Sequence, residues 1–224
     1  MEFGKAFSYP FEDREWVKKI GIGALLMLIP LLGSLWISGW ALEITKRVIR
    51  QDPEPLAGWD DFGGYLVRGF QVLIVGLVYA LPIILLSACM QTVALSLGDS
   101  SSGDEVTYAV TAISVCVGCI AFLYGILLAL MLPAALGNFA AKEQFGAAFR
   151  FGEVWGLVRA APGAYILAAL GSLLAGIIAM LGMILCIVGV LLTASYANAV
   201  MGHLTGQAYN AATASKQLEA VSAV

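Results

Sequence analysis

The chain has 224 residues, of which 60% are hydrophobic and 12% charged, and its net charge is -3. A soluble domain carries about 25% charged residues. A mean hydropathy of +0.89 therefore excludes an ordinary water-soluble fold and points to helices in a bilayer.

The first 19 residues mix charge with aromatics. Glu12, Asp13, Arg14, Glu15, Lys18 and Lys19 interleave with Phe7, Tyr9, Phe11 and Trp16. Pro10 suits a first helical turn, Glu12 and Asp13 complement the positive helix end, and Glu15 pairs with Lys18 or Lys19 at helical spacing. Such a helix lies in the plane of the interface, with Trp16 at headgroup depth and Lys18 and Lys19 near anionic lipid. Residues 1–19 are read as an amphipathic elbow. Acids precede the apolar run and no small-residue cleavage site follows it, so no secretory signal is expected.

From residue 20 the chain turns apolar. Residues 20–32 and 34–50 are expected to form a hairpin turning near Pro30, Gly33 and Ser34. Only about 16 Å of helix separates Ile20 from Pro30, against a hydrocarbon core of about 30 Å. The hairpin is thus either two crossings or a re-entrant dip. Glu43 sits one turn from Lys46 and Arg47, which suggests a local ion pair near the headgroups.

A second aromatic and acidic segment, GWDDFGGYLVRGF at 58–70, leads into the run 69–97 and supplies the anchor Trp59. Pro82 interrupts that run as a kink. The loop at 98–107 carries Asp99, Asp104 and Glu105 and is expected to be external. In the run 106–141, Cys116 and Cys119 form C-x-x-C with no base or polar neighbour, so they are read as small packing residues. Pro133 is a second kink, and Asn138 is assigned to interhelical hydrogen bonding, like Gln91, Thr92 and Asn198.

FGEVWGLVR at 151–159 is a third elbow, anchored by Trp155 and Arg159. The run 160–181 carries a ladder of small residues, Ala164, Ala168, Ser172 and Gly176, beside a second stripe of Gly171, Ala175 and Ala179. Small faces permit close helix approach, so this segment is expected at the centre of the bundle. Residues 183–203 form the sixth segment and end at His203, the one histidine, which lacks metal-ligand partners in sequence. Residues 209–224 are read as a cytoplasmic tail.

With six segments in a transmembrane domain at 20–208, all 12 basic residues fall on one side, which the positive-inside rule makes cytoplasmic together with both termini. A shift of 156 residues aligns LGSLWISGWALEITKRVIRQ (32–51) with VGVLLTASYANAVMGHLTGQ (188–207), pairing Gly33 with Gly189, Trp40 with Tyr196 and Gln51 with Gln207. Each hairpin so related is preceded by an elbow.

The pattern F-x-Y-P-F-x-D-x-x-W-x-K-K at Phe7 to Lys19 resembles the start of a family of uncharacterised multi-pass membrane proteins of bacteria and archaea. WDDFGG at 59–64, FGAAFRFGEVWGLVR at 145–159 and HLTGQAY at 203–209 are similar to that family as well. The resemblance implies prokaryotic membrane residence and carries no activity.

The expected fold is all-α, a polytopic bundle of about six membrane segments with short amphipathic interfacial helices. No nucleophile-base pair, carboxylate pair, phosphate loop or zinc spacing occurs, so neither a cofactor nor catalysis is expected. The expected role is that of a structural or accessory subunit in a prokaryotic inner membrane, with lipids and other membrane proteins or itself as partners and no nucleic acid. The alternative is a carrier of an apolar molecule such as a lipid, quinone or pigment.

Overall fold

A computed structural model describes residues 2–98 and 104–222, and among them every regular element is helical. Eight α-helices follow in order: α1 (Phe3–Glu12), α2 (Trp16–Leu26), α3 (Leu32–Ile49), α4 (Phe62–Gly98), α5 (Asp104–Lys142), α6 (Phe151–Ala160), α7 (Pro162–Leu181) and α8 (Cys186–Ser222). Short 3-10 segments precede α6 and α8. Three helices are long and apolar enough to cross a membrane, over Phe62–Val93, Val110–Lys142 and Pro162–Ile184. The acidic loop expected at 98–107 falls largely on 99–103, outside the described residues.

The chain divides into two units, residues 1–75 with 130–224, and residues 76–129. In the first unit α8 is the hub, packing against α1, α2, α3, α6 and α7. This corrects the expectation that the helix at 160–181 holds the centre. The reason lies in which faces the helices offer. Only Tyr165, Ala168, Gly171 and Ala175 of α7 are buried, a single stripe facing α8, and a Cβ added at Gly176 would meet nothing within 4 Å. Helix α8 instead buries residues around its circumference, among them Ser195, Ala197, Ala199, Val200, His203, Leu204 and Ala208.

Glycine sets the crossings. A Cβ at Gly39 of α3 would run into the Tyr65 carbonyl of α4, and one at Gly69 of α4 into the Leu35 carbonyl of α3. Two backbones in contact are possible only because both positions lack a side chain. Gly202 and Gly206 let α8 approach Ala41 and Val48 in the same way, and the Thr45 hydroxyl donates to the Gly202 carbonyl at 2.9 Å. Contacts rise together along both sequences, from Ala41 with Gly202 to Val48 with Gly206, so α3 and α8 run parallel. Trp40 and Tyr196, aligned in the repeat of 32–51 with 188–207, each donate to a backbone carbonyl: Trp40 Nε1 to Ala57 at 2.9 Å, Tyr196 Oη to Phe7 at 2.7 Å.

The N-terminal elbow differs from its expectation. Pro10 lies near the end of α1 rather than opening a helix. A proline there forfeits only the bond back to the Ala6 carbonyl, and α1 continues through it to Glu12. The chain then breaks at Asp13, whose carboxylate accepts the Glu15 N–H at 2.7 Å, and α2 starts at Trp16. Glu15 does pair with Lys18, at 3.4 Å.

In the second unit, residues 76–129, the Tyr124 hydroxyl donates to the Tyr79 carbonyl at 2.7 Å and ties the two helical stretches together. Leu77, Leu81, Leu85, Ile113, Val115, Phe122 and Leu123 are exposed there. Cys116 and Cys119 are free and exposed rather than packed within this unit.

Candidate functional site

The charged and aromatic side chains gather at one end of the first unit, where two clefts open. A cleft of about 1070 Å³ lies between α1, the start of α2, the segment after α3 and the stretch of α8 from His203 to Ala211. At its side Tyr9 stacks on His203 with ring centroids 4.2 Å apart, and both residues are buried. The Tyr9 hydroxyl donates to the Ala199 carbonyl at 3.0 Å, and burial raises its pKa well above the ordinary phenol value, so it stays a neutral donor. The Gln207 amide nitrogen lies 3.2 Å from His203 Nδ1. An amide nitrogen can only donate, so Nδ1 accepts and the imidazole proton sits on Nε2. Lys19 donates to Asp13 at 2.6 Å and to the Leu56 carbonyl at 2.9 Å, closing one side. Among the described residues no group of three or more His, Cys, Asp or Glu is placed to hold a metal ion.

A second cleft of about 380 Å³ is walled by Leu42, Glu43 and Lys46 of α3, Gly63, Gly64, Val67, Arg68 and Gln71 of α4, and Phe139, Ala140 and Glu143 at the end of α5. Ion pairs ring it. Arg68 holds Glu43 at 2.6 Å and Asp61 at 2.7 Å, and Arg47 lies 3.9 Å from Glu43. Glu143 takes Lys46 at 3.0 Å and also Arg50. The hydrogen bond from Lys46 holds the Glu143 carboxyl below its usual value. Beyond it, Asn138 donates to the Ala147 carbonyl and to Glu153, which Lys142 also holds.

The expected anchors occupy different settings. Trp16 is half-buried and Lys18 exposed, while Lys19 is nearly enclosed by its two acceptors. Trp59 is buried, stacked on Trp40 at 5.2 Å, and donates to the Lys19 carbonyl at 2.7 Å. Trp155 is exposed, with the Arg159 guanidinium 5.1 Å over its ring. Of the small-residue ladder Ala168 is buried, and Ala164, Ser172 and Gly176 are half-buried. Glu43 pairs with Arg47 as expected from spacing, but its closer partner is Arg68, 25 residues on. Lys46 turns away to Glu143. Sequence reading missed the Tyr9–His203 stack and the Glu143 bridge, since neither has a local spacing signal. Arg68 did offer one, a lone base inside an apolar run.

Residues 22–188 match the family described as "Protein of unknown function (DUF4013)", a span that takes in most of the chain. The chain belongs to that family. The whole lining of the second cleft falls inside the DUF4013 span, whereas the first cleft draws on α1 and on His203 to Ala211 of α8 outside it. The opening motif at 7–19 and the closing HLTGQAY at 203–209 also lie outside the DUF4013 match. No curated protein and no solved structure matches the chain.

Proposed function

We propose that this DUF4013 chain is a multi-pass protein of a prokaryotic cytoplasmic membrane that acts as a non-catalytic accessory subunit. It packs with other membrane proteins or with a second copy of itself, and with the lipid around them. The observation that carries this reading is the large apolar surface its own fold leaves uncovered. The apolar window of α5 is 0% buried inside the chain, that of α4 11% and that of α7 22%. Side chains of that kind require hydrocarbon or a partner around them.

In this reading α4, α5, α7 and the first half of α8 cross the bilayer, and α2 with α3 forms a re-entrant pair. Glu43 closes the apolar stretch of α3, leaving Leu32 to Leu42, about 16 Å of helix, against about 30 Å of hydrocarbon. Leu28, Ile29, Leu31 and Leu32 at the hairpin tip are exposed, which suits insertion into one leaflet. The six segments place both termini and all 12 basic residues on the cytoplasmic side. The scarcity of titratable groups along the apolar helices supports a role without chemistry of its own.

Native mass spectrometry of the protein drawn from its own membrane in mild detergent tests this. A stoichiometric protein partner or a defined homo-oligomer is the expected result. A lone chain carrying one quinone, pigment or other apolar molecule would overturn it in favour of a carrier.

A further inference from the structure

The first cleft carries an acidic excess that its own bases leave open. Six acids line it against three bases. Lys5 lies 3.5 Å from Glu2 and Lys19 lies 2.6 Å from Asp13, while Lys18, outside the lining, takes Glu15 at 3.4 Å. Glu12, Asp52 and Glu54 make no ion pair with a described residue, and Arg14 is the one lining base in the same position. All three acids are exposed, and Asp52 accepts only the Glu54 N–H of its own turn, at 3.0 Å.

The α8 wall of the cleft adds polar groups that call for an occupant of a particular kind. His203 lines it and is 4% exposed. With Nδ1 accepting from Gln207, its Nε2–H has no acceptor among the described residues. The Gln207 amide nitrogen also donates to the Glu2 carbonyl at 3.2 Å, and its buried Oε1 has no hydrogen-bond partner. A buried donor and a buried acceptor are costly while both stay open. A bare polyamine offers N–H groups to Oε1 but nothing to the imidazole N–H. A peptide backbone offers both a carbonyl and an N–H.

We propose that this cleft docks a Lys- and Arg-rich cytoplasmic segment of a partner membrane protein. Its basic side chains meet Glu12, Asp52 and Glu54, and its backbone meets His203 and Gln207. In the orientation proposed above the cleft opens on the cytoplasmic side. The segments that membrane proteins carry there, next to their helices, are the ones enriched in Lys and Arg. A neighbour in the bilayer therefore presents the matching charge at the matching depth, whereas an anionic headgroup brings the wrong sign. The volume of about 1070 Å³ lies at the upper end of ligand-sized cavities, room for a few residues of chain. The proposal rests on the accessory reading and gives that partner its chemistry.

The test uses the purified full chain in an uncharged mild detergent and a fluorescein-labelled peptide of alternating lysine and alanine, read by anisotropy. One such peptide binds per chain, and its counterpart with glutamate for lysine does not. Glu12→Gln and Glu54→Gln each weaken binding about threefold, the scale of one exposed ion pair, and the double variant weakens it about tenfold. Glu219→Gln, at an exposed acid of α8 outside the cleft, leaves binding unchanged. His203→Phe keeps a ring against Tyr9 without the N–H and also weakens binding. Glu12 and Glu54 are exposed, so their variants carry the test if His203→Phe does not fold. Equal binding of the two peptides, or binding indifferent to the double variant, overturns the proposal. Displacement by spermine at the peptide's own concentration overturns it in favour of a small polyamine. A stoichiometric partner in native mass spectrometry without peptide binding overturns this site and leaves the accessory reading standing, whereas a lone chain there overturns both.

Discussion

Single residues decide how closely this chain can fold on itself. Gly39 and Gly69 bring α3 and α4 into backbone contact, and no side-chain rotamer change can relieve a methyl group placed there. Gly39→Ala is expected to destabilise the fold by about 2–3 kcal/mol, the upper range for overpacking, read as a lower unfolding temperature in detergent. An unchanged temperature would mean that the two helices do not cross at these glycines. The end of α3 offers the opposite case. The Gln51 N–H bonds to Val48 and the Asp52 N–H to Arg47, a Schellman turn in which Gln51 takes φ 57°. Glycine adopts that conformation without steric cost, so Gln51→Gly should stabilise by about 0.5–1 kcal/mol in the same measurement. The buried Ser195 hydroxyl has no hydrogen-bond partner. Ser195→Ala, which removes a desolvated group and little volume, is expected to be neutral or stabilising.

At the scale of elements, the segments around α2 and the turn after α3 are held by polar tips of aromatic side chains. Trp40 and Tyr65 donate to Ala57 and Gly58, Trp36 to Phe62, and Trp59 to Lys19, so the turn after α3 is fastened beneath α2 and α3. The elbow α6 is held differently, through Glu153, whose carboxyl is lowered to about 2 by hydrogen bonds from Lys142 first and Asn138 second. A depressed carboxyl contributes stability above its unfolded value of 4.5 and loses it as pH falls toward about 2. The stability advantage of the native chain over Glu153→Gln should therefore be constant above pH 4.5 and shrink below it, as paired unfolding curves would show. A constant gap down to the acid limit would mean that the Lys142 contact is not formed. If α2 and α3 form a re-entrant pair as proposed, Leu31→Cys should resist a membrane-impermeant thiol reagent added from outside the cell, and rapid labelling would make the pair two full crossings.

The first unit is a bundle around α8, and the long apolar helices leave much apolar surface uncovered. If that surface receives a partner, bulky substitutions on exposed small positions of α5, such as Gly118→Leu, should abolish co-purification while leaving expression unchanged. In a carrier the sensitive positions would be the kinks, and Pro82→Ala or Pro133→Ala would impair activity at normal expression. Composition made the helical class legible, because no other arrangement satisfies the backbone of such long apolar runs. The repeat aligned Trp40 with Tyr196, but that α3 packs on α8 appears only in the structure. The Tyr9–His203 stack and the bridges from Glu143 to Lys46 and Arg50 were not, because their partners are brought together only by packing.

Sequence alone determined that this chain is helical and strongly apolar, since hydropathy and length are properties of each segment taken singly; the structure has three helices long and apolar enough to cross a membrane. Only the tertiary structure decided that α8 rather than α7 is the hub and that Trp59 is buried. It alone also gathered Glu43, Lys46, Arg68 and Glu143 around one cleft. Those outcomes depend on which faces of distant helices meet, and helix faces meet through close approaches such as those at Gly39, Gly69 and Gly202 that no local spacing records.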